Sequence, residues 1–197
     1  MNPGTLMALK QNLKALRIST MGQEIEATVR HAKEGGISHE EFLLELTETE
    51  LQVRSENRQK RRLREAKFPL MKPLETFDLE SAPDLDNALF RELATCNFIK
   101  EKRNIVFLGR SGTGKTHMTT ALGIESCQND FQTRYVAGYG VFKELKEDRK
   151  DKDLSRFLQR YTRYDALILD ELGYVPFSKE GAELLFQVLA ERHERGS

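Results

Sequence analysis

The chain has 197 residues, 39% of them hydrophobic, with 31 Lys and Arg against 31 Asp and Glu and so no formal net charge; this suffices for one medium core plus an appendage. No apolar run approaches the roughly 20 residues of a membrane span, and the N-terminus lacks the charged-then-apolar profile of a secretory signal, so a soluble cytoplasmic protein is expected. Cys96 and Cys127 stand apart, without C-x-x-C spacing or a nearby His pair, which argues against a disulfide scaffold or a zinc site and for two buried, reduced thiols.

The first segment reads as helical throughout. Leu6, Leu9, Leu13 and Leu16 recur at helical spacing, as do Met21, Ile25, Val29 and Ala32, and Gly35-Gly36 then stops the pattern. Ser38-His39-Glu40-Glu41 has the form of a capping box, so a long helix should begin there, with Phe42, Leu43, Leu46 and Val53 on its apolar face. Pro69 sets its limit.

Zero net charge hides a segregation along this helix. Glu34 to Glu50 holds six acidic residues and no Lys or Arg, whereas Arg54 to Lys67 holds seven basic residues against Glu56 and Glu65. Arg54, Arg58, Arg61 and Arg62 fall at i, i+4, i+7 and i+8, with Lys60 and Arg64 beside them. Such a stripe can neutralise phosphates of a nucleic-acid backbone without reading sequence. The same cations could instead serve as a solvated helix end that complements the helix dipole.

From Phe68 to Pro83 the pattern lapses, with Pro69, Pro73 and Pro83, and reads as a linker or as an arm wrapping the next domain. Residues 1–67 then form a helical DNA-binding or oligomerisation segment, 68–83 the linker and 84–197 an α/β domain. Asp84 is expected to cap a helix through Leu85, Leu89 and Leu93. The apolar run Ile105-Val106-Phe107-Leu108 should be a strand, and it leads into Gly109-Arg110-Ser111-Gly112-Thr113-Gly114-Lys115-Thr116, which fits the phosphate-loop pattern G-x-x-x-x-G-K-[ST]. Met118, Ala121, Leu122 and Cys127 continue as a helix whose free N–H groups point at an anion.

The chemistry accounts for each fixed position. Gly109, Gly112 and Gly114 free the backbone to wrap a phosphate in a concave nest of N–H groups. Lys115 would reach the β- and γ-phosphates of ATP and Thr116 would ligate Mg²⁺, and His117 is counted with the nucleotide-binding residues 109–116. Thr133 to Ala137 should be a second strand. Helices bearing Val141, Phe142 and Leu145, and then Leu154, Phe157, Leu158 and Tyr161, should follow on either side of the charged stretch Glu147 to Asp153. Strands alternating with helices imply a parallel sheet. The third strand, Ala166 to Leu169, delivers Asp170 and Glu171 at its end, the Walker B pattern of P-loop ATPases. Asp170 would hold Mg²⁺ through a water, and Glu171 would orient the attacking water or take its proton.

Together GRSGTGKTH (Gly109 to His117), LDELGY (Leu169 to Tyr174), RELATCNFI (Arg91 to Ile99) and SHEEFLLEL (Ser38 to Leu46) resemble the IstB-like transposition helper ATPases of bacterial insertion sequences. The resemblance covers nearly the whole chain. It implies an AAA+ ATPase that assembles on double-stranded DNA as a homo-oligomer in an ATP-dependent way and recruits or stimulates the transposase of the same element. In that light the Arg54 to Arg64 stripe resembles part of a DNA-contacting helical domain.

The family continues past Ser197 into a strand with a polar sensor residue, an arginine finger and a lid. That strand lies between the phosphate-loop and Walker B strands, which would otherwise flank a gap or pair directly. A fragment with impaired hydrolysis is therefore expected. Rival readings are a helicase loader of the DnaC kind and a non-hydrolysing, ATP-gated DNA-binding or oligomerisation module. A small-molecule kinase fits less well, because no acceptor-binding insertion is evident. Leu184, Leu185, Val188 and Leu189 should face the core from the last helix, with His193 and Arg195 as C-terminal cations.

Overall fold

The computed structural model describes residues 2–78, 86–138, 159–174, 179–193 and 196–197. The expected cap Asp84, the expected helix residues Val141, Phe142, Leu145, Leu154, Phe157 and Leu158, and Arg195 lie outside the described residues. By its contacts the chain divides into Met1–Arg58 and Gln59–Ser197, so the boundary falls inside the long helix.

The first unit carries α1 (Pro3–Ala15), α2 (Ser19–Gly35) and the first part of α3 (His39–Ala66). Asn2 caps α1 through its side chain, and Gly36 ends α2 at φ 61°, the left-handed position that glycine tolerates. The capping box forms as the spacing requires. The Ser38 N–H donates to Glu41 Oε2 at 2.8 Å, and the Glu41 N–H donates to Ser38 Oγ at 3.1 Å.

Leu13, Ile25 and Leu46 make the core of this unit, ringed by Leu6, Leu9, Ile18, Met21, Val29 and Phe42. Two expected core residues face solvent instead, Leu16 and Leu43. Leu16 lies past the last turn of α1, where helical periodicity no longer sets direction. Leu43 adjoins Phe42, and neighbours 100° apart on a helix do not share a narrow face.

A buried carboxylate ties α3 to the α1–α2 turn. Glu50 accepts from the Met21 N–H at 3.0 Å and from Arg54 Nε at 2.6 Å, and the same guanidinium donates to the Arg17 carbonyl. Burial works against the charge on Glu50, but the bonds from Arg54, Met21 and Thr20 outweigh it and hold the carboxyl below its ordinary range.

The second unit is α/β. Its helices are α4 (Asn87–Ala94), α5 (Asn97–Lys100), α6 (Lys115–Gln128) and α7 (Lys179–Arg192), around the strands β1 (Thr133–Ala137) and β2 (Ala166–Asp170). The strands pair in parallel, with Thr133 opposite Ala166 and Ala137 opposite Asp170. Asp86, in place of the expected Asp84, caps α4, accepting from the N–H groups of Ala88 and Leu89.

Helix α6 is the hub. Met118, Ala121, Leu122, Ile124 and Cys127 are all buried, and Met118 and Leu122 join Phe90, Leu93, Cys96, Phe98, Ile99 and Ala166 in one cluster. Complete burial of each such large side chain contributes about 1.5–3 kcal/mol. Both cysteines are free and buried as expected, and burial pushes the Cys96 thiol up to about 11, so neither is a ready nucleophile. A second cluster of Val136, Tyr161 and Val188 lies with Leu167 and Leu169.

Two expectations are corrected. First, residues 105–108 form no strand and enter no ladder among the described residues. Ile105 and Phe107 pack on the core, while Val106 and Leu108 are 78% and 89% exposed. The alternation is that of a strand, but ladder partners are needed to make one. On β2 a place is taken by Ser197, whose N–H donates to the Asp165 carbonyl and whose carbonyl accepts from the Leu167 N–H. The Ser197 hydroxyl donates to the Arg103 carbonyl at 2.5 Å.

Of the two readings of residues 68–83, linker or arm, the described start packs as an arm of this unit. Leu74, the first residue of a 3₁₀ turn (Leu74–Thr76), and Phe77, just after it, join the core, and the Phe68 ring stands edge-on to Tyr135. Second, Leu189 of α7 is exposed. Val188 holds the core face as expected, and Arg192, below it, is buried among four carbonyls, those of Tyr161, Tyr164, Asp165 and Ser197.

Candidate phosphate-binding site

The turn from residue 108 into α6 has the conformation its glycines permit. Gly112 and Gly114 sit at φ 81° and 83°, left-handed positions at which a side chain is strained. Gly114 also lies against Phe77, whose ring carbon would be 3.4 Å from an added Cβ. The chain therefore reverses in a tight loop and enters α6 at Lys115, with the first-turn N–H groups unpaired within the helix.

Side chains brace the loop from within. Thr113 Oγ1 donates to the Arg110 carbonyl at 2.9 Å, and Lys115 Nζ donates to the carbonyls of Gly109 and Arg110 at 2.7 and 2.5 Å. The ammonium is thus parked across the loop mouth. An oxyanion entering the loop offers it a charge-assisted partner stronger than a neutral carbonyl. Arg110, Ser111 and Thr116 are exposed around the same turn.

His117 has neighbours the motif did not foretell. Its Nε2 lies 3.2 Å from Thr76 Oγ1, and its ring is edge-on to Phe77 with centroids 5.1 Å apart. Residues 73–77 thus back the loop, through Phe77 on Gly114 and Thr76 on His117. Sequence reasoning found no site role for Thr76 and Phe77; the available signal was that residues 68–79 are rich in apolar side chains (Phe68, Leu70, Met71, Leu74, Phe77, Leu79), more than a solvated linker needs.

Helix α6 also sets where the acidic pair stands. At Gly123 an added Cβ would lie 2.6 Å from both Ile168 Cδ1 and the Phe68 ring, so only glycine lets α6 approach β2 this closely. Two residues beyond Ile168, β2 ends in Asp170. Asp170 Oδ1 accepts from the Glu171 N–H at 2.8 Å, and Oδ2 accepts from the Tyr135 hydroxyl at 2.6 Å. Burial, then the neighbouring Asp170 carboxylate, push the Tyr135 phenol well above its ordinary range, so it stays protonated and donates. Glu171 is exposed and sits at φ 58°, a strained conformation for a residue with a side chain.

The cations of α3 fare differently. Arg54 is engaged by Glu50 and the Arg17 carbonyl, and Arg62 pairs with Asp130 at the turn after α6. Arg58, Lys60, Arg61 and Arg64 are exposed, Arg61 with only a 3.9 Å approach to Glu65. The stripe read from the spacing therefore includes two cations, Arg54 and Arg62, that are engaged elsewhere in the chain.

Residues 11–197 match the family described as IstB-like ATP binding protein. The chain belongs to that family. The ATP-binding protein of insertion sequence IS232 from Bacillus thuringiensis subsp. berliner is 33% identical over 96% of this chain and 76% of the relative. Those of IS5376 from Geobacillus stearothermophilus and IS21 from Pseudomonas aeruginosa are 32% and 31% identical, over 91% and 94% of this chain and 71% and 70% of the relatives. Membership makes this IstB-like chain an ATP-binding protein of the P-loop class. Among its described residues no helix is long and apolar enough to cross a membrane.

Proposed function

We propose that this IstB-like protein is a cytoplasmic helper of DNA transposition that binds ATP at residues 109–117, hydrolyses it, and works on double-stranded DNA with the transposase of its element as a homo-oligomer. The observation that carries the reading is the loop itself: left-handed glycines, a helix N-terminus and a lysine ammonium converge on one turn, on a helix packed against the strand that ends in Asp170 and Glu171. Proteins named for insertion sequences supply the link to transposition.

The residues present fit Mg²⁺ bound with the nucleotide. No cluster of three or more His, Cys, Asp or Glu that could hold a metal exists among the described residues, so an all-protein cage is not offered. Mg²⁺ takes one or two protein oxygens and completes its shell from phosphates and water. The Thr116 hydroxyl and the Asp170 carboxylate, the latter oriented at both oxygens, are donors of that kind. When bound, the ion neutralises charge that develops on the phosphates.

The chain's own groups do the rest. Backbone N–H groups of the loop cradle the phosphates, and Lys115 exchanges its two carbonyls for phosphate oxygens. Glu171, adjacent to Asp170, orients water and accepts its proton, a role that suits hydrolysis more than transfer. Arg58, Lys60, Arg61 and Arg64 form the exposed part of the stripe that meets the DNA backbone, while Arg54 and Arg62 hold the helix in place.

The test is ATP turnover with and without double-stranded DNA, for this chain and its Lys115→Ala variant. Turnover stimulated by DNA and abolished by the variant is the expected result. Loss of the lysine's charge-assisted contacts, about 1.5–3 kcal/mol, should weaken ATP binding about ten- to hundredfold. Retained ATP binding without turnover would identify a non-hydrolysing, ATP-gated module instead, and ATP affinity unaffected by Lys115→Ala would overturn the site.

A further inference from the structure

Tyr135 belongs to neither the phosphate loop nor the acidic strand end, yet it reaches the second from the neighbouring strand. It stands opposite Ile168 in the parallel register, and Asp170 is two residues further along β2. Alternate residues share a face of a sheet, and two residues of strand span about 6.6 Å, an offset a phenol can bridge. The bridge is made: the hydroxyl donates to Asp170 Oδ2 at 2.6 Å. The residue is only 7% exposed, and its ring stands edge-on to Phe68, centroids 6.2 Å apart. The phenol is held from behind and points one donor at one carboxylate.

With Oδ1 on the Glu171 N–H, Asp170 is bonded at both oxygens before any ligand arrives. A carboxylate fixed this way need not be ordered on binding, and each oxygen keeps a further lone pair for an incoming partner.

We propose that Tyr135 is a positioning residue, whose hydroxyl sets the direction in which the Asp170 carboxylate meets Mg²⁺ bound with ATP. The inference rests on the assignment of Asp170 to the metal made above. Phenylalanine would fill the same space and make the same ring contact, so the effect belongs to one hydroxyl. Loss of such an outer partner commonly weakens metal affinity ten- to hundredfold, and about tenfold is expected here.

The experiment titrates Mg²⁺ into the full chain with a fluorescent ATP analogue, and separately counts bound Mn²⁺ by electron paramagnetic resonance, for the unaltered chain, Tyr135→Phe and Asp170→Asn. Tyr135→Phe should raise the half-saturating metal concentration about tenfold and leave nucleotide affinity in EDTA unchanged. If Asp170→Asn shifts the metal dependence and Tyr135→Phe does not, the positioning role is overturned and the site assignment stands. If Asp170→Asn shifts nothing, Asp170 is not the metal group and both readings fall. Equal loss of affinity with and without metal in Tyr135→Phe would make the tyrosine a packing residue. Should that variant not fold, 3-fluorotyrosine at position 135 provides a reporter: its ¹⁹F resonance should move when metal joins the nucleotide complex, and an unmoved resonance overturns the proposal.

Discussion

Two stretches stand out in the sequence for their chemistry, the loop 109–117 and the arginine-rich second half of α3, and the structure treats them in opposite ways. In the loop, conformation is written into consecutive residues: glycines at φ 81° and 83° and a lysine that folds onto carbonyls five and six residues before it. In α3, the cations share one helix face, but what each does depends on partners elsewhere in the chain. Arg54 finds Glu50 and the Arg17 carbonyl, and Arg62 finds Asp130 across 68 positions. A short motif thus fixes geometry where its contacts are local, whereas a charge pattern only limits which partners are possible.

Substitutions can sharpen that contrast, and the largest effect is expected at Glu50. Glu50→Ala leaves the Met21 N–H and Arg54 without their carboxylate and should destabilise the helical unit by about 1–3 kcal/mol, read from its thermal unfolding. The acid dependence has a defined sign. Because the folded carboxyl lies below its ordinary value of 4.5, its contribution is fully present above that pH and disappears as pH falls through the folded value. Glu50→Ala should flatten that acid limb, and an unchanged limb would assign it to other groups.

The loop comes next. Gly114→Ala places a Cβ at φ 83° and against Phe77, for a strain of about 1–3 kcal/mol. Because the position is structural and local, nucleotide affinity and thermal stability should fall together. Wild-type affinity in this variant would show that the loop relaxes and that the motif constrains less than the comparison claims.

The smallest effects should separate the two kinds of cation on α3. Arg62→Ala breaks a pair whose Asp130 is exposed, so stability should drop by about 0.5–1 kcal/mol. Arg58→Ala and Arg61→Ala should leave stability within about 0.5 kcal/mol. If they contact DNA, each lowers the slope of log affinity against log salt by about 0.9. An equal slope change from Arg62→Ala would break the division into anchors and DNA-facing cations.

The apolar run 105–108 shows the limit of what a local pattern states. Its alternation was legible, and Ile105 and Phe107 do pack inward while Val106 and Leu108 point out. A strand, however, is a relation between two backbones, and no local pattern states whether a partner is in place. The same limit applied to Phe77 and Thr76, in a stretch that reads equally as linker or arm, which back the loop through Gly114 and His117. It applied again to Leu16 and Leu189, whose helical spacing was right and whose faces were not.

By itself the sequence determined what neighbouring residues can decide: the capping box at Ser38 and Glu41, the reversal at Gly112 and Gly114, the buried face of α6, and β2 ending in Asp170. Each depends on a few consecutive side chains and on dihedrals that sterics restrict. Only the tertiary structure decided that Arg54 and Arg62 are anchors, that residues 73–77 brace the loop, and that Tyr135 holds Asp170. Those relations bring together groups dozens of positions apart, and one of them turns on a parallel register that no stretch of chain encodes alone.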